Sequence, residues 1–163
     1  MTAHDSARSG FTLVEMLVVL AILSIVAWAI LPLSKMAAQR EHEIELRQDL
    51  RLMREAIDAY KKLSDEKKIE VKENTEGYPP TLDVLVNGVE LEAQGQADTQ
   101  SKGKKIVKFL RRIPKDPMTD SFDWGLRSYQ DPHDSDKWGG ENVYDIYTKS
   151  QGKALDGTLY KDW

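Results

Sequence analysis

The chain has 163 residues, of which 23 are Lys or Arg and 27 are Asp or Glu, for a formal net charge of -4. That is one ordinary domain's worth of sequence, and its charge balance argues against a general nucleic-acid binder. It contains no cysteine, so a disulfide framework, a thiolate metal site and a cysteine nucleophile are all excluded.

Mean hydropathy is low, at -0.53, but the contiguous apolar residues are gathered at the front of the chain. Residues 6 to 34 read "SARSGFTLVEMLVVLAILSIVAWAILPLS", and Met16 to Leu31 are apolar except for Ser24. From Phe11 to Leu33 there are 23 residues, enough at about 1.5 Å per residue to span a bilayer. A secretory signal peptide, with Arg8 as its basic end and a cut near "KMAAQ", has an apolar core of only about 7 to 15 residues and does not account for Glu15. A plain single-span anchor does not account for it either, because a carboxylate at the centre of a membrane helix costs roughly 2.5 to 3.5 kcal/mol. A third reading starts from the boundary between Gly10 and Phe11. A cut there gives Phe11 a free α-amino group with a reference pKa of about 7.7 to 8.0, mostly cationic at neutral pH. In a stack of such helices offset by a turn, Glu15 of one copy meets that amine on the next. At an effective dielectric near 20 and about 4 Å the attraction is roughly 4 kcal/mol.

The stretch "GFTLVEMLVVLAIL" resembles the class III leader and N-terminal helix of type IV pilin-like proteins, which include the pilins and the pseudopilins of type II secretion systems. The resemblance implies cleavage after Gly10 by a prepilin peptidase, N-methylation of Phe11, and an assembly role for Glu15, the fifth residue of the mature chain. Pro32 falls where many members carry a proline. Its ring clashes with the Trp28 carbonyl and removes a hydrogen bond, so a kink or local melting is expected there. Asp5 offsets Arg8, while Lys35 and Arg40 follow the span, so positive charge alone does not set the topology. The cytoplasmic N-terminus is implied by the resemblance.

Beyond the span, Leu46, Leu50, Met53, Ile57 and Tyr60 recur at steps of four and three among charged residues, the pattern of an amphipathic helix. One helix is expected from near Phe11 to about Leu63, roughly 80 Å if unbroken; a solvated coiled coil is the other reading of its second half. "TEGYPPTLDVLV" (75–86) breaks that helix and starts a short one capped by Thr81. Residues 87–104 read as a polar surface excursion. "KIVKFLRRIP" fits a strand or a short helix equally. "WGLRSYQD" (124–131) and "NVYDIYTKS" (142–150) read as antiparallel strands, and "GTLYKDW" as a short edge.

"GYPPTLDVL", "LRRIPKDPMTDSFDWGLRSY" and "YDIYTKSQGKALDGTLYKDW" also resemble segments of major pseudopilins of type II secretion. Members of that branch often hold the C-terminal loop with calcium, which makes Asp156 and Asp162 the candidate ligands here, beside Lys153 and Lys161. Calcium prefers about 6 to 8 oxygens, so a turn held only by hydrogen bonds is the alternative. Between Lys102 and Lys115 lie seven basic residues and no acid, and between Asp116 and Asp136 six aspartates and one arginine. These runs are two solvated surfaces, or two faces that meet across a head-to-tail contact. His4, His42 and His133 form no H-E-x-x-H pattern, and no P-loop, G-x-S-x-G or dinucleotide fingerprint is present, so an enzyme is not expected.

The expected fold class is therefore α+β, pilin-like: a long N-terminal α-helix, transmembrane and then amphipathic, packed on a small antiparallel β-sheet. Its parts are a leader (1–10), a transmembrane helix (11–33) and a periplasmic domain (34–163), helical over 34–63. The expected role is that of a major pseudopilin, polymerised into a periplasmic fibre that drives type II secretion; a type IV pilus subunit for adhesion, motility or DNA uptake is the alternative. Expected partners are further copies in a helical homopolymer, a prepilin peptidase, minor pseudopilins, an inner-membrane assembly platform and inner-membrane lipid, with no nucleic acid. The expected location is the inner membrane, single-pass, with assembly into a periplasmic or extracellular filament.

Overall fold

The computed structural model describes residues 10–92 and 105–163, without the side chains of 29–33. Most of the leader, the polar excursion beyond residue 92, Lys102, Lys104 and the side chain of Pro32 lie outside the described residues. The chain divides into two compact units, Met1–Gln39 and Arg40–Trp163.

Helix α1 runs Leu13–Asp65, a stretch without a single glycine, the residue that most weakens helix interiors after proline. No melting interrupts it near Pro32. Its C-terminal end is a Schellman-type turn: Lys67 takes a left-handed φ of 52°, Lys68 N–H donates to Leu63 O at 3.0 Å, and Lys67 N–H donates to Ser64 O at 2.9 Å. The last carbonyls of the helix are thereby satisfied, although lysine rather than glycine holds the left-handed position.

The expectation of a transmembrane span over 11–33 is corrected. Among the described residues no helix is long and apolar enough to cross a membrane. Helix α1 is long, but its apolar N-terminal part carries Glu15 in the first turn, a charge that is costly in hydrocarbon. The single-pass inner-membrane placement that followed from it is corrected with it.

In the second unit the helical stripe is the floor of the core. Leu46, Leu50, Met53, Ile57 and Tyr60 are all at most 3 % exposed, and each such side chain contributes about 1.5 to 3 kcal/mol on burial. They pack with Leu85, Leu110, Trp124, Val143 and Ile146. Helix α2, Leu82–Asn87, follows an extended Thr81 whose side chain makes no capping hydrogen bond. Gly88 ends it with φ 88° and lies so close to the next ribbon that a Cβ would meet Val107 O at 2.6 Å.

The expected single sheet is two separate antiparallel ribbons. Strand β1 (Val89–Glu90) pairs with β2 (Ile106–Val107) in the register Val89↔Val107. Strand β3 (Gly125–Arg127) pairs with β4 (Asp145–Tyr147), with Leu126 opposite Ile146. Two-stranded ribbons are marginal alone and need a packing partner; β4 has one in the core through Ile146. Tyr147 lies over Gly125, where any side chain would collide with its ring. The C-terminal segment forms one bridge, Lys153↔Leu159, and then a 3₁₀ turn, Tyr160–Asp162, instead of an edge strand.

Candidate assembly site at the N-terminal helix

The start of α1 is built by Thr12. Its Oγ1 accepts the Glu15 N–H at 3.2 Å, and its carbonyl accepts Met16 N–H at 3.1 Å, so Thr12 is the N-cap and Glu15 the third helical residue. The spacing T-x-x-E is that of a capping box, a signal readable in the sequence. A carboxylate in the first turn also suits the positive end of the helix dipole. The Glu15 carboxylate itself has no partner among the described residues.

Phe11 is 79 % exposed, and from Leu13 to Trp28 the large apolar side chains are exposed on every face. Ser24 is the polar exception and satisfies itself by donating to Leu20 O at 2.7 Å. Gly10 stands in open space, with nothing within 4 Å of a built Cβ and no positive φ. Neither packing nor backbone geometry therefore calls for glycine there. Gly10, Phe11 and Glu15 lie together on one short exposed stretch.

The candidate calcium ligands are placed differently. Asp156 Oδ1 accepts from Thr158 N–H at 2.9 Å and from Thr158 Oγ1 at 2.6 Å, and these bonds, with Arg47 nearby, hold its carboxyl below the usual carboxylate range. Asp162 lies in the 3₁₀ turn. Among the described residues no group of three or more His, Asp or Glu side chains could hold a metal ion.

Most of the acidic run is tied to other residues of the chain. Asp116 is fully buried and accepts from Met118 N–H, Thr119 Oγ1 and Thr148 Oγ1 at 2.8, 2.9 and 2.5 Å. Asp120 pairs with Lys115, Asp123 with Lys149, and Asp136 with Lys161. Asp131 accepts from Ser128 N–H and Gly139 N–H, which lowers its pKa. The run is thus a set of internal ties rather than an open acidic face. Beside it, Glu45, Asp49, Arg112, Lys115 and Phe122 line a cavity of about 340 Å³. Burial first, then Glu45 and Asp116, push the Asp49 carboxyl up.

Residues 5–31 match the prokaryotic N-terminal methylation motif. No curated protein and no solved structure matches the chain. The matched residues contain the Gly10–Phe11 boundary, the Thr12 cap and Glu15. A leader of this kind implies processing by a prepilin peptidase. The chain thus carries, over its first 31 residues, a motif typical of type IV pilin and pseudopilin proteins.

Proposed function

We propose that the chain is a non-enzymatic structural subunit, the major pseudopilin of a type II secretion system, whose copies stack through their N-terminal helices into a fibre that pushes folded cargo outward. The observation that carries the reading is Glu15: a carboxylate without a partner among the described residues, one turn from Phe11, on a helix whose large apolar side chains from Leu13 to Trp28 are exposed. Cleavage after Gly10 and methylation of Phe11 leave an amine at the tip of that helix. When helices pack, Glu15 enters an apolar surrounding where an unpaired charge costs several kcal/mol. A neighbour's Phe11 amine at about 4 Å returns roughly 4 kcal/mol at an effective dielectric near 20. An isolated subunit has no such pairing, so the charge itself drives polymerisation. Minor pseudopilins and an assembly platform are the further partners of this reading.

Calcium takes no part in it. The methylation motif is equally that of type IV pilus subunits, the second reading. Mass spectrometry of the mature chain, together with electron microscopy of cells overproducing wild type or Glu15→Ala, tests both. The expected result is a chain beginning at methylated Phe11, fibres from wild type tied to enzyme export, and none from the variant. Long fibres on motile cells move the assignment to the pilus. A mature chain retaining residues 1–10, or fibres unaffected by Glu15→Ala, overturns the proposal.

A further inference from the structure

The C-terminal loop Gly152–Trp163 is fastened to α1 by side chains that α1 supplies. Glu43 Oε1 accepts from Leu155 N–H at 2.9 Å and from Tyr160 Oη at 2.9 Å, so one carboxylate oxygen bridges two points of the loop. Eleven residues along the helix, Arg54 Nη2 donates to Trp163 O at 2.7 Å and to Ile146 O at 3.2 Å, while its Nε donates to Asp145 Oδ1 at 2.7 Å. Between them, the Arg47 guanidinium covers the Trp163 ring at 3.7 Å from its centroid.

Several of the loop's own oxygens are engaged within it. Thr158 Oγ1 donates to Asp156 and accepts from Trp163 Nε1 at 2.8 Å. The carbonyls of Gly152, Ala154, Thr158, Leu159 and Tyr160 all accept from N–H groups of the loop. The free side of Asp156 looks onto Arg47, with Nη2 3.8 Å from Oδ2. A calcium ion needs about 6 to 8 oxygens at about 2.3 to 2.6 Å, and at Asp156 it would meet an engaged carboxylate beside a fixed positive charge. The residues present do not fit that ion.

We propose that Glu43 and Arg54 of α1 clamp the C-terminal loop in the role that a bound cation would otherwise fill, so that this unit folds and holds its loop independently of calcium. Charge-assisted hydrogen bonds of this kind are the strong ones. The bridging oxygen of Glu43 acts as a hydrogen-bond acceptor, which an amide oxygen can imitate. The proposal concerns only the second unit and stands apart from the assembly reading.

Hydrogen exchange of the loop amides in the full-length chain tests it, with excess EGTA or excess calcium as the two arms. Exchange in wild type is expected to agree between the arms within about twofold. Glu43→Ala is expected to speed it by about tenfold or more in both arms, the loss of a charged tie. Glu43→Gln is expected to stay near wild type. Slowing by calcium beyond about twofold in wild type overturns the proposal whether or not any variant folds. So does a Glu43→Ala loop that exchanges at the wild-type rate, or a Glu43→Gln loop as open as Glu43→Ala.

Discussion

From Leu13 to Trp28, α1 exposes leucine, isoleucine and valine on every face, whereas from Leu46 to Tyr60 it aligns Leu46, Leu50, Met53, Ile57 and Tyr60 in one stripe that is at most 3 % exposed. The charged residues differ in the same way. Arg54 in the second stretch has partners on β4 and on Trp163, while the Glu15 carboxylate in the first has none among the described residues. One stretch is completed by its own chain. The other presents an apolar surface and a charge that no described residue covers, and exposed apolar area of that extent marks an interaction site.

The largest expected effect comes from breaking the incomplete stretch at its charge. Glu15→Ala removes filaments altogether while leaving the thermal midpoint of the purified chain unchanged, since the carboxylate makes no tie within the fold. Negative-stain microscopy and calorimetry on the same preparations check both halves. A variant that melts early would place Glu15 in the fold rather than in assembly.

Next is the stripe. Leu46→Ala, at a fully buried site, should cost about 2 to 5 kcal/mol of stability, the usual range for such a cavity, as read by denaturant unfolding. Leu17→Ala, at a site 59 % exposed, should leave the unfolding curve in place and weaken assembly only. Asp116→Ala should follow at about 2 to 3 kcal/mol, because it strands Met118 N–H and the hydroxyls of Thr119 and Thr148. That loss would confirm Asp116 as an internal tie and separate it from the exposed Asp134 of the same acidic run, whose Asp134→Ala change should be nearly silent.

The stripe was fully legible in sequence because a 3.6-residue period repeats locally, and the apolar run at the front was legible because contiguous hydrophobicity needs no tertiary information. The span expected over that run is not matched by any helix among the described residues. Strand positions were legible from aromatic and β-branched content, but the division into two ribbons was not, since pairing joins residues such as Val89 and Val107 across a segment with no pattern of its own. The clamp was the least readable feature. Glu43 meets Tyr160 at a separation of 117 residues, and Arg54 meets Asp145 at 91, and each is an ordinary charged residue on a helix face. The acidic run misled for the same reason: composition counts Asp116 as surface charge, and the fold buries it.

The smallest effect sets two aspartates of the second unit against each other. Asp49 has a raised folded pKa, from burial and from Glu45 and Asp116, with Arg112 and Lys115 on the other walls of its cavity. The folded state therefore binds the proton more tightly than the unfolded chain, whose reference is about 3.9. Stability from this group is present at low pH and is lost as pH rises from there through the folded value. Asp156 has a lowered pKa, from the hydrogen bonds of Thr158. Its contribution is present above about pH 3.9 and is lost as pH falls through its folded value. Asp49→Asn should therefore raise the thermal midpoint slightly at neutral pH, and the gain should close as the solution is acidified and wild-type Asp49 takes up its proton. Asp156→Asn should do the reverse, lowering the midpoint at neutral pH and converging with wild type only below about pH 4. Two melting series across pH check this, and parallel curves for the two variants would mean that the cavity around Asp49 is as open to water as the loop around Asp156.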